Sequence, residues 1–89
     1  MLAIEVHLNG GKVCTAGIRF NAALNASVDI IGVDANYDVT LRVGGLENDD
    51  FVIWSDRELR VGDEINIRIV ETKLMDAPVL RNPNAVSEP

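Results

Sequence analysis

The fold class is most strongly indicated by the stretch Leu59-Arg60-Val61-Gly62-Asp63-Glu64-Ile65-Asn66-Ile67-Arg68-Ile69-Val70. After a Gly-Asp turn, three isoleucines alternate with Asn66 and Arg68. Period-two alternation places successive side chains on opposite faces of a strand, so the isoleucines share one face. The pattern predicts a sheet with one buried and one largely solvated face.

Composition limits the kind of protein. The chain has 89 residues, which suits one domain, and its net charge of −6 argues against a nucleic-acid partner, because phosphate binding needs clustered Lys and Arg. It has neither an apolar run long enough to span a membrane nor a signal-peptide pattern. A single cysteine, Cys14, allows no internal disulfide and favours a reducing compartment. We therefore expect a cytoplasmic protein with no membrane partner.

A β-hairpin is predicted at the start of the chain. Residues 2–9 alternate between apolar and other side chains, and they run into the turn sequence Asn9-Gly10-Gly11. Asn-Gly is a strong hairpin signal because both residues tolerate positive φ. Residues 12–18 then return as the second strand.

Residues 21–32 fit two structures. Leu24, Val28 and Ile31 have the spacing of one helical face, and the alanines of the segment favour a helix. Alternation over residues 26–30 instead indicates a strand. We expect a helix here and keep the strand as the alternative.

The rest of the chain is predicted as short strands followed by a tail. Residues 1–74 form a single α+β domain, and residues 75–89, which contain three prolines, form a flexible tail. The predicted elements are a strand over 38–43 stopped by Gly44-Gly45, a turn over 47–50, a strand over 51–54, a helical turn over 55–59 and a strand over 64–71.

This order of hairpin, crossing helix and three further strands over residues 2–71 resembles the ubiquitin-like β-grasp, which implies an α+β fold with a mixed sheet. An all-β sandwich or barrel is the alternative. The motifs Ile-Glu-Val-x-Leu-Asn-Gly, Val-Cys-Thr-Ala-Gly, Val-Gly-Gly-Leu and Val-Gly-Asp-Glu-Ile-x-Ile-Arg-Ile-Val-Glu resemble those of a family of small uncharacterised bacterial proteins. That resemblance implies no activity.

The phase of the predicted strands also predicts the core. Alternating positions of three strands are expected to face inward. The predicted core residues are Ile4, Val6, Leu8, Leu41, Val43, Ile65, Ile67 and Ile69.

His7 and Cys14 are the pair that most resembles a base and a nucleophile. A reactive thiolate needs a nearby cation or helix N-terminus, an orienting group and an oxyanion site, and the sequence indicates none of these. With an Asn9-Gly10 turn, His7 lies opposite Lys12 rather than Cys14. One His and one Cys are too few for a zinc site, and the Gly-Gly pairs lack a following Lys-Ser or Lys-Thr. We predict no catalytic, metal or cofactor-binding residue and no cofactor.

A protein interface is predicted around the short strand 51–54. Phe51 and Ile53 share one face, and Val52 and Trp54 share the other, so one apolar pair is expected to lie outside the core. We predict that Val52 and Trp54 anchor an interface, since Trp and Arg are enriched at interaction hot spots. The alternative is that Trp54 covers the sheet edge or packs under the tail. The predicted rim consists of Arg57, Glu47, Asp49 and Asp50.

The sequence therefore favours an acidic, non-enzymatic protein–protein interaction module that forms a homo-oligomer and acts by binding, as an inhibitor or accessory subunit does. One alternative is a small-molecule or nucleotide binding protein with its site at a subunit junction. A cysteine-dependent enzyme using Cys14 is the other.

Overall fold

The structure is a computed structural model that describes residues 1–82, and its elements are all strands. Over these 82 residues, seven strands form two antiparallel sheets. Sheet A has the order β2-β1-β6, and sheet B has the order β3-β4-β5-β7. Within the described part of the chain, no helix is long and apolar enough to cross a membrane. The strands are β1 (Leu2–Leu8), β2 (Gly11–Gly17), β3 (Ala22–Val33), β4 (Asn36–Glu47), β5 (Asp50–Glu58), β6 (Ile65–Glu71) and β7 (Leu80–Asn82).

The predicted α+β, β-grasp-like fold is wrong, because the segment expected to be a crossing helix is β3. This strand pairs with β4 along its whole length, from Ala22 opposite Glu47 to Val33 opposite Asn36. Strand β4 supplies a partner for the whole of this segment, and that pairing outweighs the helix propensity of its alanines. The all-β class, kept as the alternative, is the one that agrees with these two sheets.

The first hairpin is confirmed. Strands β1 and β2 are joined at Asn9 and Gly10, which have φ values of 51° and 83°. The two strands pair with Val6 opposite Cys14, and an irregularity in register follows, so that His7 lies opposite Lys12.

The turn before β6 is built from the polar residues of the stretch quoted first. The Asp63 carboxylate accepts a hydrogen bond from the backbone N–H of Arg60 at 2.7 Å, and Gly62 has a φ of 96°. The side-chain Nδ2 of Asn9 donates to the Oδ1 of Asp63 at 2.9 Å. The side-chain Oδ1 of Asn9 accepts from the N–H of Glu64, also at 2.9 Å. Asn9 therefore ties the first hairpin to the start of β6. The hydrogen bonds that the Asn9 amide and the Arg60 N–H donate to the Asp63 carboxylate lower the pKa of Asp63.

The core lies between the two sheets. Its fully buried side chains include Val6 from sheet A and Leu41 and Val43 from sheet B, all of them predicted core residues. Ile4, Leu8 and Ile65, also predicted, are partly buried and pack against this cluster.

The core prediction is wrong for two isoleucines of β6. The side chains of Ile67 and Ile69 are 46% and 76% exposed. Strand β6 lies at the edge of sheet A, beyond β1, so it has a neighbouring strand on one side only among the described residues. Alternation correctly places Ile67 and Ile69 on the side of sheet A that faces the core. It carries no information on whether sheet B extends far enough to cover β6.

Residues 75–82, which belong to the predicted tail, make specific contacts with both sheets. Met75 packs against the core. The N–H of Asp76 donates to the Thr15 carbonyl at 2.9 Å, and its carboxylate accepts from the Thr15 N–H at 2.8 Å. Strand β7 then pairs with β5. Asp76 thus covers the free edge of β2, and the remainder of the predicted tail, 83–89, lies outside the described residues.

Candidate binding surface

Strand β5 has two apolar faces, and the structure decides which one is buried. Val52 and Trp54 point into the core, where they are 3% and 6% exposed. The Nε1 of Trp54 donates to the backbone carbonyl of Asp76 at 2.7 Å, so its polar atom is also satisfied inside the fold. Phe51 and Ile53 lie on the opposite face of sheet B, which we call the outer face. The apolar pair outside the core is therefore Phe51 with Ile53.

Two glycines in β4 shape the outer face. A Cβ at Gly44 would lie 2.7 Å from the carbonyl oxygen of Val52, and one at Gly45 would collide with the backbone of Ala23. Only glycine lets β3, β4 and β5 approach this closely. The expected stop of the strand at this pair is not observed, since β4 continues to Glu47 with an irregularity in register after Val43.

These glycines form the floor of a depression of about 510 Å³ on the outer face, which we call the outer depression. Its apolar wall comes from β4, β5 and β7 and is formed by Leu46, Phe51, Ile53 and Leu80. Three polar side chains also line it, namely Asn25, Arg42 and Asn82. An apolar concavity with a few convergent polar groups is the usual form of a binding site.

Arg42 is the one charged side chain that lines the outer depression among the described residues. Its Nη2 lies 3.1 Å from the Oδ2 of Asp56, and both side chains are exposed. An exposed ion pair of this kind contributes little stability, roughly 0–1 kcal/mol. The guanidinium can therefore exchange this partner for an acceptor on a bound molecule.

The predicted rim residues do not surround the outer depression. Glu47 and Asp50 meet at the β4–β5 turn, where the Arg81 guanidinium binds both, at 2.7 Å and 3.1 Å. These hydrogen bonds raise the pKa of Arg81. Asp49 occupies the same turn with a φ of 69°. Arg57 lies near the other end of β5, about 23 Å away along the strand.

His7 and Cys14 do not form a pair. Cys14 is buried in the core and lies opposite Val6, whereas His7 lies opposite Lys12. Burial raises the pKa of the Cys14 thiol, the nearby Asp76 carboxylate raises it further, and Lys12 partly opposes them. The thiol is thus held in its protonated, less nucleophilic form at neutral pH. Among residues 1–82, no three His, Cys, Asp or Glu side chains lie close enough together to hold a metal ion.

The thiol gives a prediction on pH dependence. In the native protein, alkylation of Cys14 by iodoacetamide should be much slower than in the unfolded chain. Its rate should also begin to rise at a higher pH than the alkylation rate of a free thiol does, because the pKa of Cys14 is raised. Mass spectrometry over a pH series measures both. Alkylation at neutral pH at the rate of the unfolded chain would contradict this placement of Cys14.

The outer depression combines signals that the sequence contains in separate places. Phe51 and Ile53 were recognised as one of two possible outward pairs, but Asn25 lies in the segment expected to be helical and Leu80 in the predicted tail. Comparison with known proteins adds no identity, since no family model, curated protein or solved structure matches the chain.

Proposed function

We propose that this chain is a non-enzymatic protein-binding module and that the outer depression receives a bulky apolar side chain of the partner. The observation that carries the proposal is the exposure of an apolar wall over a glycine floor. Phe51 is 49% exposed, and Leu46 and Leu80 beside it are exposed as well. Large apolar side chains gathered at one concave place are a common mark of an interaction surface.

The polar groups at the edge define the partner further. Asn25 and Asn82 offer amide donors and acceptors. Arg42 offers a cation whose partner among residues 1–82 is the exposed carboxylate of Asp56. A peptide segment with an apolar anchor and flanking backbone carbonyls satisfies both parts of the surface. The proposal includes a cytoplasmic location, which the single, buried Cys14 supports.

A small molecule is the second candidate for the same place. The three polar side chains on an apolar concavity favour it, because such groups fix the orientation of a compact ligand. A peptide is preferred, since the depression lies on an open sheet face and not inside the fold.

The proposal is tested with a random peptide library displayed on phage and selected on the folded chain. We expect enriched peptides to share a bulky apolar residue. A synthetic peptide of the enriched sequence should bind Phe51→Asp at least about tenfold more weakly than the original protein, equivalent to about 1.4 kcal/mol, because the new carboxylate is desolvated in the apolar wall.

Tyr37→Asp is the matched control, since Tyr37 is an exposed aromatic residue outside the outer depression. It should leave the affinity unchanged. Equal binding by Phe51→Asp and the original chain would contradict the proposal. Failure to enrich any peptide would also count against it and in favour of the small-molecule candidate.

A further inference from the structure

In the part of the chain that the structure describes, strand β3 is a long sheet edge without the usual protection against pairing. Its 12 residues contain one charged side chain, Asp29, and neither proline nor lysine. Natural edge strands are normally short, charged, interrupted by proline or covered by another segment. Ile30, Ile31 and Val33 on this strand are also exposed.

The other edges within residues 1–82 each have such a device. Asp76 covers the edge of β2 at Thr15, near the middle of the strand, through two hydrogen bonds. Strand β7 has only three residues. Strand β6 carries Arg68 and Glu71. Strand β3 is therefore the edge that is best suited to accept another strand.

The direction of the backbone groups on this edge follows from the hydrogen bonds of sheet B. The N–H of Leu59 donates to the Val39 carbonyl at 2.8 Å, so Val39 bonds toward β5. Residues of a central antiparallel strand alternate between their two neighbours, so Thr40 and Arg42 bond toward β3, where their partners are Asp29 and Ser27. The intervening residues of β3, at positions 24, 26, 28 and 30, consequently direct their N–H and C=O groups to the free edge.

We propose that β3 pairs antiparallel with β3 of a second copy of this chain, about a two-fold axis at Ser27, and joins the two copies of sheet B into one continuous sheet. In this register Leu24 lies opposite the partner's Ile30, and Ala26 lies opposite the partner's Val28. Each of these pairs has its free backbone groups on the shared edge, so they bond across it.

Several registers would keep the core faces of both copies on the same side of the joined sheet. The charge and polarity of the paired side chains favour the register centred on Ser27. Centred on Ser27, it places Asn25 opposite the partner's Asp29. Centring on Asp29 would set two carboxylates directly opposite each other, which is destabilising. Centring on Val28 would place Asn25 opposite the partner's Ile31. The register at Ser27 alone among these three pairs apolar with apolar and polar with polar side chains.

This dimer would also extend the outer depression. Asn25 and Ala23 line it on the side of β3. Across the new edge, the partner's Asp29 and the partner's Ile31 would stand beside them. The dimer rests on the edge of β3 and not on occupancy of the depression, so each proposal can fail without the other.

Sedimentation velocity of the full chain tests the pairing. We expect the original protein to show an apparent mass of twice that of the chain. Val28→Pro should weaken dimerisation about 100-fold or more, because proline removes one intermolecular hydrogen-bond donor from each copy. The Val28 N–H makes no bond to β4, so the fold should persist by circular dichroism. Ile67→Pro is the matched control. The backbone hydrogen bonds between Asn9 and Glu64 and between Met1 and Thr72 show that the even-numbered residues of β6 bond to β1. The N–H of Ile67 therefore points to the free edge of β6.

Ile67→Pro should remain dimeric. A monomeric original protein at all concentrations, or dimerisation lost in Ile67→Pro and kept in Val28→Pro, would overturn the proposal.

The register is tested without proline by changing the residue on the axis. Ser27→Lys and Ser27→Glu should each dimerise about tenfold more weakly, because like charges then lie opposite each other. An equimolar mixture of the two should restore the dimer, since Lys then lies opposite Glu. A mixture that dimerises no better than either variant alone would rule out an axis at Ser27.

Discussion

Replacement of Leu41 by alanine is expected to lower the free energy of unfolding by about 2–5 kcal/mol, because a large side chain is removed from a fully buried site. Leu41 has no exposed surface and lies in the core cluster between the sheets. Urea unfolding measures the change, and the slope with denaturant should stay the same if the fold is retained.

Ile69→Ala is the matched control for this measurement. It removes an aliphatic side chain of the same size from a strand position that alternation alone would assign to the core. Its side chain is 76% exposed, so the change should lie within about 0.5 kcal/mol. If Ile69→Ala destabilised the protein as strongly as Leu41→Ala, the placement of β6 at an uncovered edge would be wrong.

Replacement of Gly45 by alanine is expected to lower the free energy of unfolding by about 1–3 kcal/mol, as overpacking does, although only one methyl group is added. The new Cβ would collide with the carbonyl of Ala23, a backbone atom that cannot rotate away. Strand β3 must then move from β4, which also distorts the outer depression.

Gly11→Ala serves as the control for the added methyl group. The nearest atom to a Cβ there is the Leu8 carbonyl oxygen at 3.6 Å, an ordinary contact. Thermal unfolding of both variants should show a clear loss for Gly45→Ala and little change for Gly11→Ala. Equal melting temperatures would show that β3 and β4 are not so close at this point.

Local patterns predicted individual turns and strands correctly but gave the wrong fold class. The Asn9-Gly10 turn and the alternation of β1 and β6 have causes that act within a few residues, namely positive φ and the two faces of a strand. The prediction of a helix over 21–32 is wrong because Leu24, Val28 and Ile31 satisfy helical spacing as well as strand alternation. Pairing with β4 decided its structure, and that contact cannot be seen in a window of neighbouring residues.

The candidate site was less predictable than the fold. Alternation shows that β5 has two apolar faces, but not which one the core covers. The enrichment of Trp at interaction hot spots favours the wrong choice for Trp54. Inside the fold, the indole N–H of Trp54 donates to the carbonyl of Asp76, a residue of the predicted tail, so burial leaves no polar atom of the indole without a partner. The sequence predicts a strand end at Gly44 and Gly45, because their close approach to Val52 and Ala23 exists only in the assembled sheet.

An NMR titration of the labelled chain with the selected peptide tests whether the outer depression of sheet B is the binding surface. We expect the largest amide shift changes at Gly44, Gly45, Phe51 and Ile53, with the signals of β6 unaffected. Shift changes confined to sheet A, with the signals of these four residues unmoved at saturation, would contradict this placement of the binding surface.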